Sequence, residues 1–158
     1  ADGMDADFTS SAANQFNVRA TGGVKIYTSG DMESGVAVNA GSGTWTSISD
    51  SNAKKNIRSV QTDEILESIS SLPIKRWSYK TQNDSIEHIG PMAQDFYNTF
   101  HIGDDEKTIS AIDPAGISLA AIQELYKQNK KLIQQNEELS NRLLLLEQQM
   151  KLLFEGTK

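Results

Sequence analysis

The chain has 158 residues, a formal charge of −6 and no cysteine. Hydrophobic residues make up 37% and charged residues 23%, which is too apolar for a disordered chain; no run approaches 18 consecutive apolar residues, which excludes a transmembrane helix. Without cysteine there is no disulfide framework or thiol chemistry, the compartment stays open, and the net negative charge argues against nucleic acid as the main partner. Ala1 to Ser11 is acidic and polar, unlike a signal peptide.

These averages cover three unlike segments: residues 1–48, 49–112 and 113–158. The first holds seven of the eleven glycines and reads as short strands and turns. Phe16-Asn17-Val18-Arg19, Val24-Lys25-Ile26-Tyr27 and Val36-Ala37-Val38-Asn39 alternate apolar and polar residues, and glycines separate the later runs. Such thin strands bury no thick core and need a neighbouring chain or sheet to cover them.

The middle segment reads as a compact α+β unit. Thr62 is expected to cap a helix over Asp63 to Ser70, which Pro73 stops. Ile74 to Lys80 alternates like a strand, Gln82 to Ser85 reads as its turn, and Glu87 to Gly90 returns as a second strand. Pro91 is expected to start a helix containing Ala93, Phe96, Tyr97 and Phe100, followed by a polar loop, Gly103 to Glu106, and a last strand from Thr108 to Ile112.

The third segment reads as one long helix, capped by Asp113 with Pro114 at its first position. A heptad fits it. Ile122, Asn129, Asn136, Leu143 and Met150 fall at a; Leu125, Leu132, Leu139, Leu146 and Leu153 fall at d. From Ile117 to Phe154 such a rod is about 57 Å long at ~1.5 Å per residue, more than a domain this small can cover. The alternative is an amphipathic helix folded back on its own core. Asn at a penalises wrong registers and specifies a parallel bundle, and in isolated zippers it leans toward dimers. Arg142 and Glu147, at g and e, are placed to pair between chains.

Few motifs carry chemistry. There is no phosphate-loop pattern and no His-Glu-x-x-His. His88 and His101 lie thirteen apart without clustered acids, so no metal site and no cofactor are expected. His88 reads as a structural residue at a strand end, and His101 as a cap for the preceding helix. Ser49 and Lys54 are five apart, but so are Ser70 and Lys75, so spacing alone says nothing. A lysine serves as base to a serine nucleophile only where burial lowers its pKa.

The order of motifs says more. Ser49-Asp50, Lys54, then Asn56-Ile57, followed by Ile65-Leu66 to Leu72-Pro73, Trp77-Ser78-Tyr79-Lys80, His88-Ile89-Gly90-Pro91-Met92-Ala93-Gln94-Asp95, and Ile112-Asp113 through Ala121-Ile122-Gln123-Glu124-Leu125 stand in sequence. This ordered set resembles the intramolecular chaperone domain at the C-terminus of phage tail spikes and tail fibres, over residues 49–125. Residues 14–48 resemble the end of a fibre or adhesin stem. Many members carry Arg and Leu where this chain has Asn52 and Ala53.

The resemblance implies an α+β fold with a β-strand stem end (1–48), a chaperone core (49–112) and a C-terminal helix forming a parallel trimeric coiled coil (113–158). It implies a homotrimer that templates an upstream β-structured stem, with no nucleic-acid or membrane partner, in a phage tail, in the host cytoplasm during assembly or at a bacterial surface. It further implies self-cleavage at the Ile48, Ser49, Asp50 junction, with Ser49 as nucleophile and Lys54 as base. Asp50 and Asn56 are supporting candidates: Asn56 as a donor to the oxyanion, Asp50 as an orienter of Lys54 whose charge would also hold a lysine protonated. A non-cleaving trimerisation cap is the alternative. A receptor-binding tip is a third reading, and it requires Trp77, Tyr79, Phe96 and Phe100 to share an exposed patch.

Overall fold

The computed structural model describes residues 7–155; Asp2 and Asp5 of the acidic N-terminal stretch lie outside the described residues. Two compact units divide the chain, one running to Arg58 and one starting at Ser59. No helix among the described residues is long and apolar enough to cross a membrane.

The first unit is a three-stranded antiparallel sheet in the order β1-β2-β3, with β1 at Gly23–Tyr27, β2 at Gly35–Asn39 and β3 at Thr46–Ser47. Val24 lies opposite Val38 and Ile26 opposite Val36, so these four share one apolar face, while Lys25, Tyr27, Ala37 and Asn39 share the other. Two glycines permit the close pairing of β1 and β2. Gly23 has φ +97, and a Cβ there would sit 2.6 Å from the Val38 carbonyl oxygen; a Cβ at Gly35 would run into the carbonyl oxygen of Ile26. In the hairpin loop the Thr28 N–H donates to the Ser34 carbonyl. The Ser29 hydroxyl and then the Glu33 N–H bond Asp31 and hold its carboxyl below the usual range.

Two expectations differ from this sheet. Phe16 to Arg19 joins no ladder, and Phe16 is 93% exposed. Alternation marks a strand only where an edge receives it. Conversely, the short β3 carries almost no pattern, yet it closes on β2 with Thr46 opposite Ala37 and Ser47 opposite Val36. None of the described residues up to Arg58 is fully buried.

The second unit holds the core. It comprises α1 (Thr62–Ser71), a two-stranded antiparallel pair of β4 (Lys75–Trp77) with β5 (His88–Gly90), α2 (Ala93–Phe100) and α3 (Ile112–Glu155). Leu72, Phe96 and Ile117 form the buried centre, with Ile65, Ile69, Phe100 and Ile109 packed against it. Ile65, Ile69 and Leu72 recur at helical spacing, so one face of α1 meets Ile117, Ala120 and Ala121 of α3. Phe96 is 3% exposed, and its ring lies 5.1 Å from that of Phe100 at a tilt of 55°. Phe96→Ala is therefore expected to cost about 3–5 kcal/mol, read as a lower denaturant midpoint of the helical signal.

Several local expectations are corrected here. Gln61, not Thr62, precedes α1, and the Thr62 hydroxyl donates instead to Glu124 of α3 at 2.7 Å. Lys127 Nζ reaches both Thr62 Oγ1 (2.8 Å) and Glu124 Oε2 (3.1 Å). A long-range acceptor outcompetes the local cap. Pro91 lies before Met92, which flanks α2, so Pro91 is outside the helix. Thr108 to Ile112 is not a strand: the Lys107 and Thr108 N–H groups and the Thr108 hydroxyl all turn to the Asp105 carboxylate, which removes donors from any ladder. Asp113 sits inside the first turn of α3, which starts at Ile112.

Glu124 is 13% exposed. Hydrogen bonds from Thr62 and then from Lys127 hold its carboxyl below the usual range. A depressed carboxyl stabilises the fold above its unfolded pKa and loses that contribution as pH falls through the folded pKa. Glu124→Gln is expected to lower the thermal midpoint at neutral pH, with the gap to wild type closing as the solution is acidified below the carboxylate range.

α3 runs for 44 residues, about 66 Å at ~1.5 Å per residue. From Leu125 to Glu155 every residue is exposed in the single chain. The folded-back helix is thus not adopted over this length.

Candidate functional site

Ser49 and Lys54 meet through local structure. Asp50 is extended (φ −65, ψ 135) and its carboxylate accepts from the Asn52 N–H at 2.8 Å, capping a one-turn 3-10 segment, Ser51–Ala53. The Asn52 side-chain amide donates to the same Asp50 oxygen at 3.0 Å. The turn closes with the Ala53 N–H on the Asp50 carbonyl and the Lys54 N–H on the Ser51 carbonyl. This reversal brings the ends of the five-residue span together, and Lys54 Nζ donates to Ser49 Oγ at 2.7 Å. Ser70 and Lys75, with the same spacing, make no such pair: the Ser70 hydroxyl donates to the Glu67 carbonyl and Lys75 to Asp95.

The junction before Ser49 is also fixed. The Ile48 N–H donates to the Gly35 carbonyl at 3.1 Å, which extends the β2–β3 ladder by one residue. Ile48 is half-buried, whereas Ser49 and Lys54 are exposed. The last residue tied to the sheet and the serine of the pair are therefore neighbours, joined by one peptide bond.

The supporting candidates fall differently. Asp50 is bound to Asn52, so the direct orienting bond to Lys54 expected of it is absent from its contacts. Asn56 takes the left-handed conformation at φ 57 and is exposed. Asn52, in the sequence only a departure from the family pattern, closes the turn on Asp50. Its signal was present: an Asp followed two residues later by Asn, a common way for a side chain to close a turn.

The histidines are accounted for by structure. His88 is half-buried, bonds Gln82 through Nε2 at 3.0 Å and packs on Trp77 at 4.6 Å. His101 ends α2 in the left-handed conformation, and its backbone N–H, not its ring, caps the Tyr97 carbonyl. Among the described residues no group of three or more His, Cys, Asp or Glu is placed to hold a metal. The aromatics do not form one exposed patch: Phe96 is buried, Trp77 and Phe100 are half-buried, and Tyr79 is exposed.

Residues 49–101 match the family described as chaperone of endosialidase. Over that stretch, about a third of the chain, this protein is similar to the chaperone-of-endosialidase family. The matched stretch opens at Ser49, the serine paired with Lys54. A comparison with curated proteins gave no match.

Proposed function

We propose that this protein is an intramolecular chaperone that assembles with copies of itself through α3, holds upstream stem segments together while they fold, and then severs itself at Ile48–Ser49. The observation that carries the reading is the 2.7 Å bond from Lys54 to Ser49 Oγ, at the point where the stem sheet ends and the chaperone domain begins.

The chemistry is an acyl shift followed by hydrolysis. Ser49 Oγ attacks the Ile48 carbonyl carbon while neutral Lys54 accepts the hydroxyl proton. As the C–N bond breaks, the proton passes to the Ser49 nitrogen, leaving an Ile48 ester on Ser49 Oγ and a free Ser49 amine. Water cleaves the ester to give an Ile48 carboxylate and restores the serine. A lysine works as base only when burial favours its neutral form, and Lys54 is exposed in the single chain. Covering by a neighbouring copy would supply that burial.

Self-association rests on α3. Near its start, Ile117, Ala120, Ala121 and Glu124 face α1, whereas Leu119, Ile122 and Tyr126 lie roughly half a turn away on the opposite face. These three are exposed, and they lead into the heptad seam. Tyr126, Ile133 and Phe154 add e positions to the a and d rows. A stripe that wide supports three helices over two, against the lean of Asn129 and Asn136 toward a dimer. Three chains held together raise the local concentration of three stems and so offset the slow step of long-range strand pairing. Light scattering tests assembly: the reading requires three times the 17.4 kDa chain mass, and a single-chain mass at working concentration would sink it.

A further inference from the structure

We infer that the strand-patterned segment Phe16–Val18 of one chain pairs with the open edge of β1 in a second copy, making a four-stranded sheet across the chain boundary. The inference rests on the self-association proposed above.

β1 is an outer strand in the order β1-β2-β3. Because Thr28 donates to Ser34, the bonded pairs of the β1–β2 ladder recur every second residue at Ile26 and Val24. The N–H and C=O groups of Lys25 and Tyr27 therefore turn outward, to an edge where no strand of the described residues lies. Open edges of this kind template a further strand.

Phe16, Asn17 and Val18 alternate as a strand does, yet they lie in no ladder, with Phe16 93% and Val18 55% exposed. Pairing within the same chain fails on register. The Gly23 N–H donates to the Ala20 carbonyl at 2.9 Å, a tight turn directly before β1. A hairpin closed by that turn would set Val18 opposite Lys25 and Phe16 opposite Tyr27. Opposed residues share a face, so both apolar side chains would join Lys25, Tyr27, Ala37 and Asn39. The apolar face, made by Val24, Ile26, Val36 and Val38, would gain nothing. A one-residue slip corrects the face, and the tight turn forbids it within the chain. A second copy is free of that turn, and its Phe16 and Val18 align with Val24 and Ile26, where Ile26 is still 49% exposed. Each copy offers one donor segment and one acceptor edge, so the pairing is head-to-tail, and the closed bundle proposed for α3 would make it a ring rather than an open filament.

The test is residue-resolved amide hydrogen exchange on the full chain at high concentration and after dilution to single chains, with light scattering on the same samples. The Lys25 and Tyr27 amides are expected to exchange roughly tenfold or more slowly in the assembly than in the single chain. In Phe16→Asp/Val18→Asp chains this slowing is expected to vanish while Val24 and Ile26 keep theirs. Assembled chains with Lys25 and Tyr27 exchanging as in the dilute sample would overturn the pairing and leave self-association standing. Slow exchange that survives dilution, or survives in the double variant, would also overturn it. Chains that stay single at every concentration would overturn the self-association and the pairing with it.

Discussion

Ser49→Ala and Lys54→Ala are each expected to leave the chain whole. Loss of the nucleophile is expected to slow self-cleavage by about four orders of magnitude or more. Loss of the base is expected to slow it by about two to four. The two roles are separated by Lys54→Arg. Arginine keeps the positive charge and can reach the Ser49 hydroxyl as a donor, but it does not deprotonate in a protein. If Lys54 only steadies the turn, Lys54→Arg cuts nearly as wild type does; as a base, it is as inert as Lys54→Ala. Denaturing gels of the purified chains read all three. Ser70→Ala serves as control, because that hydroxyl donates to the Glu67 carbonyl and should change nothing.

On the proposed reading, assembly depends on the uncovered seam. Leu139 is 60% exposed in the single chain, and burying such a side chain contributes about 1.5–3 kcal/mol per copy. Leu139→Glu replaces that gain with carboxylates converging at one layer, which cost more still when unpaired. The expected result is a mass that falls to that of one chain. Gln134→Glu, at an outer f position of the same helix, is expected to leave the mass unchanged. The α1–α3 packing around Ile117 and Ala121 is remote from Leu139 along the helix, so helical signal from the core persists in both variants. Leu139→Glu is expected to lose cutting as well if, as proposed, assembly is what covers Lys54.

The parts that were legible in the sequence are those whose signals are local and periodic. The hairpin of β1 and β2 followed from alternation bounded by glycine. The long α3 followed from sustained helical spacing between Ile117 and Phe154, and α1 from its own spacing and Pro73. Long-range competition hid the rest. Thr62 reads as a cap until Glu124, sixty-two residues on, takes its hydroxyl. Thr108 to Ile112 reads as a strand until Asp105 takes its amides. Phe16 to Arg19 carries a strand pattern with no strand in the single chain, because a pattern does not specify the edge it pairs with.

The Ser49–Lys54 pair was legible in identity and not in geometry. Ser49 and Lys54 stand out through the ordered motifs around them, and five-residue spacing alone gave no reason to prefer them to Ser70 and Lys75. What distinguishes the pairs is the capped turn: Asp50 and Asn52 reverse the chain after Ser49, whereas Ser70 lies near the end of α1 and its hydroxyl stays on the helix. The bond between Ile48 and the Gly35 carbonyl could not be anticipated, since β3 itself left almost no trace in composition.

The most direct measurement is intact-mass spectrometry over time on the wild-type chain bearing upstream stem, at concentrations above and below assembly. The account predicts one break, between Ile48 and Ser49, that appears in the assembled sample and is slow or absent in the dilute one. A chain that assembles and remains whole, or that breaks elsewhere, would contradict it.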